Sequence, residues 1–375
     1  MPRVLVMTRY KPGSHGGLGT LLTNLKNSCN VQCDVSFYIL YTGLNSHPLI
    51  ENIGPLATIY TFLRDLKISL KTVCKDYADA VLYLGSVPLP SHVLAKLCSK
   101  PVILYVNGYL HYEHVYRFKN AIKRLDIREI LGSIWTEVWT ELLFGIGRYF
   151  VDAYVFPCYA TYEFSMISSN KVHRVIPLWL SEQEISHILE QSTSRRKEDD
   201  EILLVAYTSN VYSPKILSSE HLVKLGYLVR NKTARNFEFL IIDPKSNQQK
   251  AIDNILIVNR LPRKKYLETL TRSILYVDAV IDDELRYSTL EAMLLGVPVA
   301  KITHPRYWDK LDFKYELFST SIREFVERVA WYIDHAEELY PMYSSKVREY
   351  VLSKRRWNNV KNYFLEIFEL IGGKH

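Results

Sequence analysis

DAVIDDELRYSTLEAMLLGVPVA, residues Asp278 to Ala300, joins the end of a buried strand, an acidic loop, a helix and a second strand in one run. Ser288 is a good N-cap side chain, Glu291 stands three residues on as in a capping box, and Gly296 with Pro298 closes the far end. A helix so placed turns its free first-turn N–H groups toward Asp282, Asp283 and Glu284. Such an N-terminus attracts phosphate, whereas acids beside it suit the hydroxyls of a ribose or sugar. The combination predicts a sugar-nucleotide site. The plainer account of the same residues is a capping box at Glu291 and a solvated loop at Asp282 to Glu284.

Asp283 and Glu291, two acids separated by seven residues, are followed by Ala292, Met293, Gly296, Val297, Pro298 and Val299. This run resembles the signature of the retaining glycosyltransferases of family 4, the glycosyl transferases group 1. There the first acid is usually Glu and a glycine-rich loop follows it, whereas here Asp283 is followed by Glu284, Leu285 and Arg286.

A chain of 375 residues is long for one core and comfortable for two. Its 48% hydrophobic and 23% charged residues are those of a globular protein, and the net charge of +7 suits an anionic substrate, an acidic membrane face or nucleic acid. The five cysteines, Cys29, Cys33, Cys74, Cys98 and Cys158, are scattered in mostly apolar surroundings, which argues against a disulfide framework. With MPRVLVMT running directly into a strand, the expectation is a cytoplasmic, reducing location. The most apolar segment, Ile127 to Phe156, is interrupted by Glu129, Glu137, Glu141, Arg148 and Asp152, with Trp135, Trp139, Phe144, Tyr149 and Phe150 between them. It is too charged to span a bilayer and reads as an amphipathic helix, buried, partner-facing or docked on a membrane surface.

Strand-like runs at Val4–Thr8, Val35–Tyr41, Ala80–Leu84, Val102–Val106, Ala153–Phe156 and Val172–Pro177 alternate with helical patterns, which argues for a parallel sheet. Gly16, Gly17 and Gly19 after the first strand let a backbone approach a ligand, yet match neither a dinucleotide fingerprint nor a P-loop. The charged run EQSTSRRKEDD, 190–200, reads as a linker, and a second strand series opens at Ile202–Tyr207. No Asp-x-Asp-type metal site stands at a strand end.

Over nearly the whole chain the resemblance implies two Rossmann-like doubly wound domains facing across a cleft, the GT-B architecture. It implies an acceptor-side domain over 1–188, a linker over 189–200 and a nucleotide-sugar donor domain over 201–345. A closing helix over 346–375 would cross back to the first domain. The activity implied is metal-independent transfer of a sugar from a nucleoside diphosphate sugar, with retention, to a hydroxyl of a glycan, lipid or protein. No cofactor is expected, and peripheral membrane contact fits the basic surface.

The same resemblance assigns catalytic roles to Asp283, Lys215 and Asn107, the last standing where the family has histidine, with His111 or His114 able to replace it. In a loop rich in Tyr109, Tyr112 and Tyr116 these histidines are equally ordinary hydrogen-bonding residues. Donor contacts fall on Gly16, Gly17, Gly19, Asn210, Lys215, Arg260, Glu284, Ser288, Thr289 and Glu291. Asn210 stands where the family has arginine, and Arg260 is the conjectured replacement, although Arg260, Arg263, Lys264 and Lys265 read equally as a solvated basic face. Two other classes stay open: a nucleotide-sugar-binding or regulatory protein that has lost turnover, and a basic nucleic-acid-binding protein, for which no motif is present.

Overall fold

The computed structural model describes residues 3–8, 17–28, 36–41, 67, 70–74, 78–84, 89–106, 118–119, 121–123, 125–127, 130–134, 138, 149–165, 167, 170–191, 203–208, 215–246 and 249–372. The chain forms two compact units, one of residues Met1–Pro177 with Val360–His375, the other of Leu178–Asn359.

The first unit is built on six parallel strands, β1 (Arg3–Thr8), β2 (Ser36–Tyr41), β3 (Ala80–Leu84), β4 (Val102–Tyr105), β5 (Ala153–Phe156) and β6 (Val172–Val175), in the order β2-β1-β3-β4-β5-β6. Continuous apolar runs such as AVLYL are what a sheet covered on both faces requires, and β3, β4 and β5 are buried at every residue. Leu5, Val81, Tyr83, Leu104, Tyr154 and Phe156 form its core. Cys74 and Cys98, with Cα atoms 5.3 Å apart, are joined by a disulfide. This corrects the expectation of no bridge. Cys98 follows the helix Leu89–Leu97, and only the fold brings it to a residue 24 positions away. Among the described residues no helix is long and apolar enough to cross a membrane.

The second unit carries β7 (Leu203–Tyr207), β8 (Glu238–Ile242), β9 (Lys250–Ile252), β10 (Ile255–Val258), β11 (Leu275–Asp278), β12 (Val299–Ile302) and β13 (Phe318–Ser319). Their order is β13-β12-β11-β7-β8-β10-β9, all parallel except the edge strand β9, which runs antiparallel to β10. The strand order therefore reverses between β7 and β11, and in open α/β sheets ligands bind outside the carboxyl ends of the strands at such a point.

The chain enters this unit at Leu178 and leaves it at Asn359. Helix Glu182–Gln191, which runs into the stretch read as a linker, is tied to the second unit: Glu182 pairs with Arg356 and Glu184 accepts from Arg263 at 2.8 Å. Within the same unit the Leu180 N–H donates to the Arg355 carbonyl, and Trp179 packs on Trp357 with ring centroids 5.7 Å apart. The expected helix at the C-terminus is two, Ala336–Lys354 and Trp357–Gly372, broken at Arg355. There the buried guanidinium donates to the Tyr350 hydroxyl, the Leu178 carbonyl and Asp312. From Val360 the last helix belongs to the first unit, where Glu366 meets Arg174 at 3.3 Å.

Candidate active site

The acidic loop lies between β11 and the helix Tyr287–Leu294, at the strand-order reversal of the second unit. It is not solvated: Asp282, Asp283 and Glu284 are 1, 7 and 6% exposed. The segment after β7 packs along it, with Ile216 bridged to Val280, the Leu217 N–H on the Ala279 carbonyl at 2.7 Å and the Ile281 N–H on the Lys215 carbonyl at 2.9 Å. That ladder delivers Lys215 to the acids. Its ammonium donates to Glu284 at 2.8 Å, Asp282 stands at 3.6 Å, and the residue is 7% exposed. Lys215 is therefore a buried ion-pair partner, and Asp282 also accepts from the Glu284 N–H at 2.9 Å.

A second buried lysine holds the loop from beneath. Lys301, at 0% exposure, projects from β12 and spends its three donors on the Asp278 carboxylate at 3.1 Å, the Val280 carbonyl at 2.6 Å and the Glu284 carbonyl at 3.1 Å. One ammonium thus ties the end of β11 to the far side of the acidic loop.

The helix begins earlier than the sequence suggested, which corrects the Ser288 cap. Arg286 occupies the N-cap position and makes no side-chain cap bond. Ser288, one residue into the helix, instead accepts from the Tyr276 hydroxyl at 2.9 Å. Glu291 then lies too far along the helix for a capping box. Its carboxylate meets the Arg263 guanidinium at 2.8 Å, and Arg263 also reaches Glu184. Burial pushes the Glu291 carboxyl above its usual range, and Arg263 pulls it part of the way back. Of the run read as a solvated basic face, Arg260, Lys264 and Lys265 are exposed and Arg263 is not. Gly296 does close the helix, at φ 78°, where an added Cβ would fall against the Ser344 hydroxyl.

Around the first turn stand polar groups that hydrogen bonds leave over. Thr289 is buried and its hydroxyl has no partner among the described residues; the Arg286 Nε is likewise buried without one, while its terminal nitrogen donates to the Tyr207 carbonyl at 3.3 Å. Tyr207 meets Tyr266 edge-on at 5.9 Å, and Tyr266 reaches the Ser288 carbonyl. The structure thus brings together Lys215, Asp282, Asp283, Glu284, Ser288, Thr289 and Glu291 on one sheet end, with Arg260 exposed after β10. Gly17 and Gly19 open the helix Gly17–Ser28 of the first unit. Gly16, Asn107, His111, His114 and Asn210 lie outside the described residues. Sequence reasoning did not assign Arg263, Arg286 or Lys301. The last had a signal, since Asp278 and Lys301 are opposite charges inside two apolar strand runs, where lone charges are rare.

No family model matches the chain, and no curated protein matches it in sequence. Among solved structures it is similar to a sucrose-phosphate synthase from Thermosynechococcus elongatus, at 11% identity and TM-score 0.62 over 100% of both chains. It is similar to the N-terminal domain of Candida albicans trehalose-6-phosphate phosphatase, at 10% identity and TM-score 0.59 over 98% of this chain and 97% of that one. A third, the lipopolysaccharide outer core galactosyltransferase WaaB, matches at 11% identity and TM-score 0.57 over 98% and 99%. The fold is that of the GT-B glycosyltransferases: two α/β units, each on a parallel sheet.

Proposed function

We propose that the chain transfers a sugar from a nucleoside diphosphate sugar to an acceptor hydroxyl, with retention at the anomeric carbon and without a divalent metal. The observation that carries this reading is the meeting of Lys215, Asp282, Glu284 and the first turn of helix Tyr287–Leu294 where the strand order reverses. As the bond to the sugar breaks, the departing diphosphate gains charge. Lys215 and the first-turn N–H groups of Ser288 and Thr289 oppose it, with Arg260 as a further cation. Asp283 and Glu284 accept from sugar hydroxyls, and Glu291, held by Arg263, accepts from the ribose. The leaving phosphate takes the acceptor's proton, so no base is demanded of the chain. By the same resemblance Gly16, Gly17 and Gly19 would add donor contacts, and Asn107 or His111 would act catalytically. The similar synthase and galactosyltransferase support this class of activity.

A second reading, a nucleotide-sugar-binding protein without turnover, is favoured by the pairing of Lys215 with Glu284, because a diphosphate must compete with two buried carboxylates for that ammonium. Thermal-shift titration with UDP, GDP and ADP sugars followed by assay of nucleotide release separates the two. Stabilisation with release supports transfer, stabilisation without release supports binding alone, and no stabilisation by any sugar nucleotide overturns both. Activity lost to EDTA and restored by manganese would remove the metal-independent step.

A further inference from the structure

The first unit turns apolar side chains outward in one short stretch. Six large hydrophobic residues within 122–138, namely Ile122, Leu125, Ile127, Leu131, Ile134 and Val138, are exposed, whereas Ala121 and Ser133 point inward and are buried. The spacing 127, 131, 134, 138 is that of one helix face, and residues 127, 130–134 and 138 are helical. Ile127 and Leu131 are 71% and 62% exposed, and a Cβ added at Gly132 would meet nothing within 4 Å. A face of this size in the open marks an interaction surface.

Its charge says what covers it. Residues 117–138 carry Arg117, Lys119, Lys123, Arg124 and Arg128 against Asp126, Glu129 and Glu137, with the basic residues concentrated ahead of the apolar face, and Lys119 and Lys123 are exposed. Trp135 and Trp139, residues suited to a membrane–water interface, follow in the same segment. Basic residues beside an outward apolar helix face match an anionic lipid surface. Two copies of the chain paired symmetrically on this face would instead press two basic clusters together.

We propose that this stripe docks the first unit on the surface of an anionic lipid bilayer, with the apolar face at the acyl boundary and Lys119 and Lys123 among the headgroups. The inference does not depend on the transfer reading, since vesicle binding is measured without turnover.

The test is co-sedimentation of the full chain with phosphatidylcholine vesicles, with and without phosphatidylglycerol. The wild-type chain is expected to sediment with the anionic vesicles, less so at high salt. Lys119→Gln/Lys123→Gln should weaken that binding about thirtyfold and leave binding to neutral vesicles unchanged. Ile127→Ser/Leu131→Ser should weaken binding to both about a hundredfold. Circular dichroism melts confirm that each variant is folded, and Ile134→Ser/Val138→Ser serves as a second apolar pair should the first not fold. Wild-type chain left in the supernatant with anionic vesicles, or apolar variants that sediment as wild type does, would overturn the proposal. So would a wild-type dimer in sedimentation velocity that Leu131→Ser converts to monomer, which would assign the stripe to a second copy.

Discussion

The two units bury ionisable side chains in opposite ways. In the second, Lys215 and Lys301 each meet a carboxylate, and Lys301 adds two backbone carbonyls. In the first, His92, on the helix Leu89–Leu97 and 4% exposed, packs edge-on against Tyr83 at 4.4 Å and finds no hydrogen-bond partner for either ring nitrogen among the described residues. A buried charge keeps its charge only when partners repay the lost hydration; a buried group without them stays neutral. The second unit therefore stores charge where the proposed donor binds, while the first keeps a base uncharged in its core.

The largest effect should follow loss of the deepest partner. Lys301→Met leaves Asp278 buried and unpaired, and denaturant unfolding should show a loss of roughly 3–5 kcal/mol, much of it recovered in Lys301→Met/Asp278→Leu. A loss below about 1 kcal/mol would break the comparison, because Asp278 would then not depend on Lys301 as its partner.

Lys215→Ala strands Asp282 and Glu284 and should cost about 3 kcal/mol of stability together with about a hundredfold in kcat. Adding Glu284→Gln sharpens the point: stability should partly return while turnover does not, since the missing cation is the one proposed to face the diphosphate. Recovery of both would make Lys215 a scaffold like Lys301.

The contrast has a pH signature in the first unit. Burial lowers the His92 pKa from 6.5 to about 4. The unfolded chain thus binds a proton between those values that the folded chain refuses, so stability is full above pH 6.5 and falls as pH drops toward 4. The loss reaches about 3 kcal/mol at most. His92→Leu should flatten that part of the stability curve relative to wild type, and parallel curves for the two proteins would refute the assignment.

The smallest effect on stability belongs to Glu291→Gln. Arg263 is partly in solvent and keeps a hydrogen-bond partner in Gln, so unfolding should shift by about 1 kcal/mol or less, while donor affinity in calorimetry falls about tenfold. Normal affinity with a lowered Tm would leave Glu291 a structural partner of Arg263 alone.

Much of the fold is legible along the chain. The apolar runs at Ala80–Leu84 and Ala153–Phe156 are strands with the bounds read from sequence, because residues covered on both faces must be apolar throughout. The loop–helix–strand run from Asp278 was readable too, down to Gly296 as the closing residue. The Ser288 cap failed because a cap depends on where the helix starts, and a contact with Tyr276, twelve residues away, claimed the hydroxyl. The burial of Lys215 was not legible, because its partners Asp282 and Glu284 are 67 and 69 residues distant.

The sequence by itself determined two strand–helix series, the acidic loop ahead of a helix and a surplus of positive charge. These follow from local pattern and composition, which neighbouring residues carry. Only the tertiary structure decided that strand order reverses between β7 and β11, that Lys215 and Lys301 lie buried against the acidic loop, and that Ile127 and Leu131 face outward. Each of those depends on which distant surfaces meet, and meeting is settled by packing the whole chain, since an apolar stripe reads the same whether it faces a core or the outside.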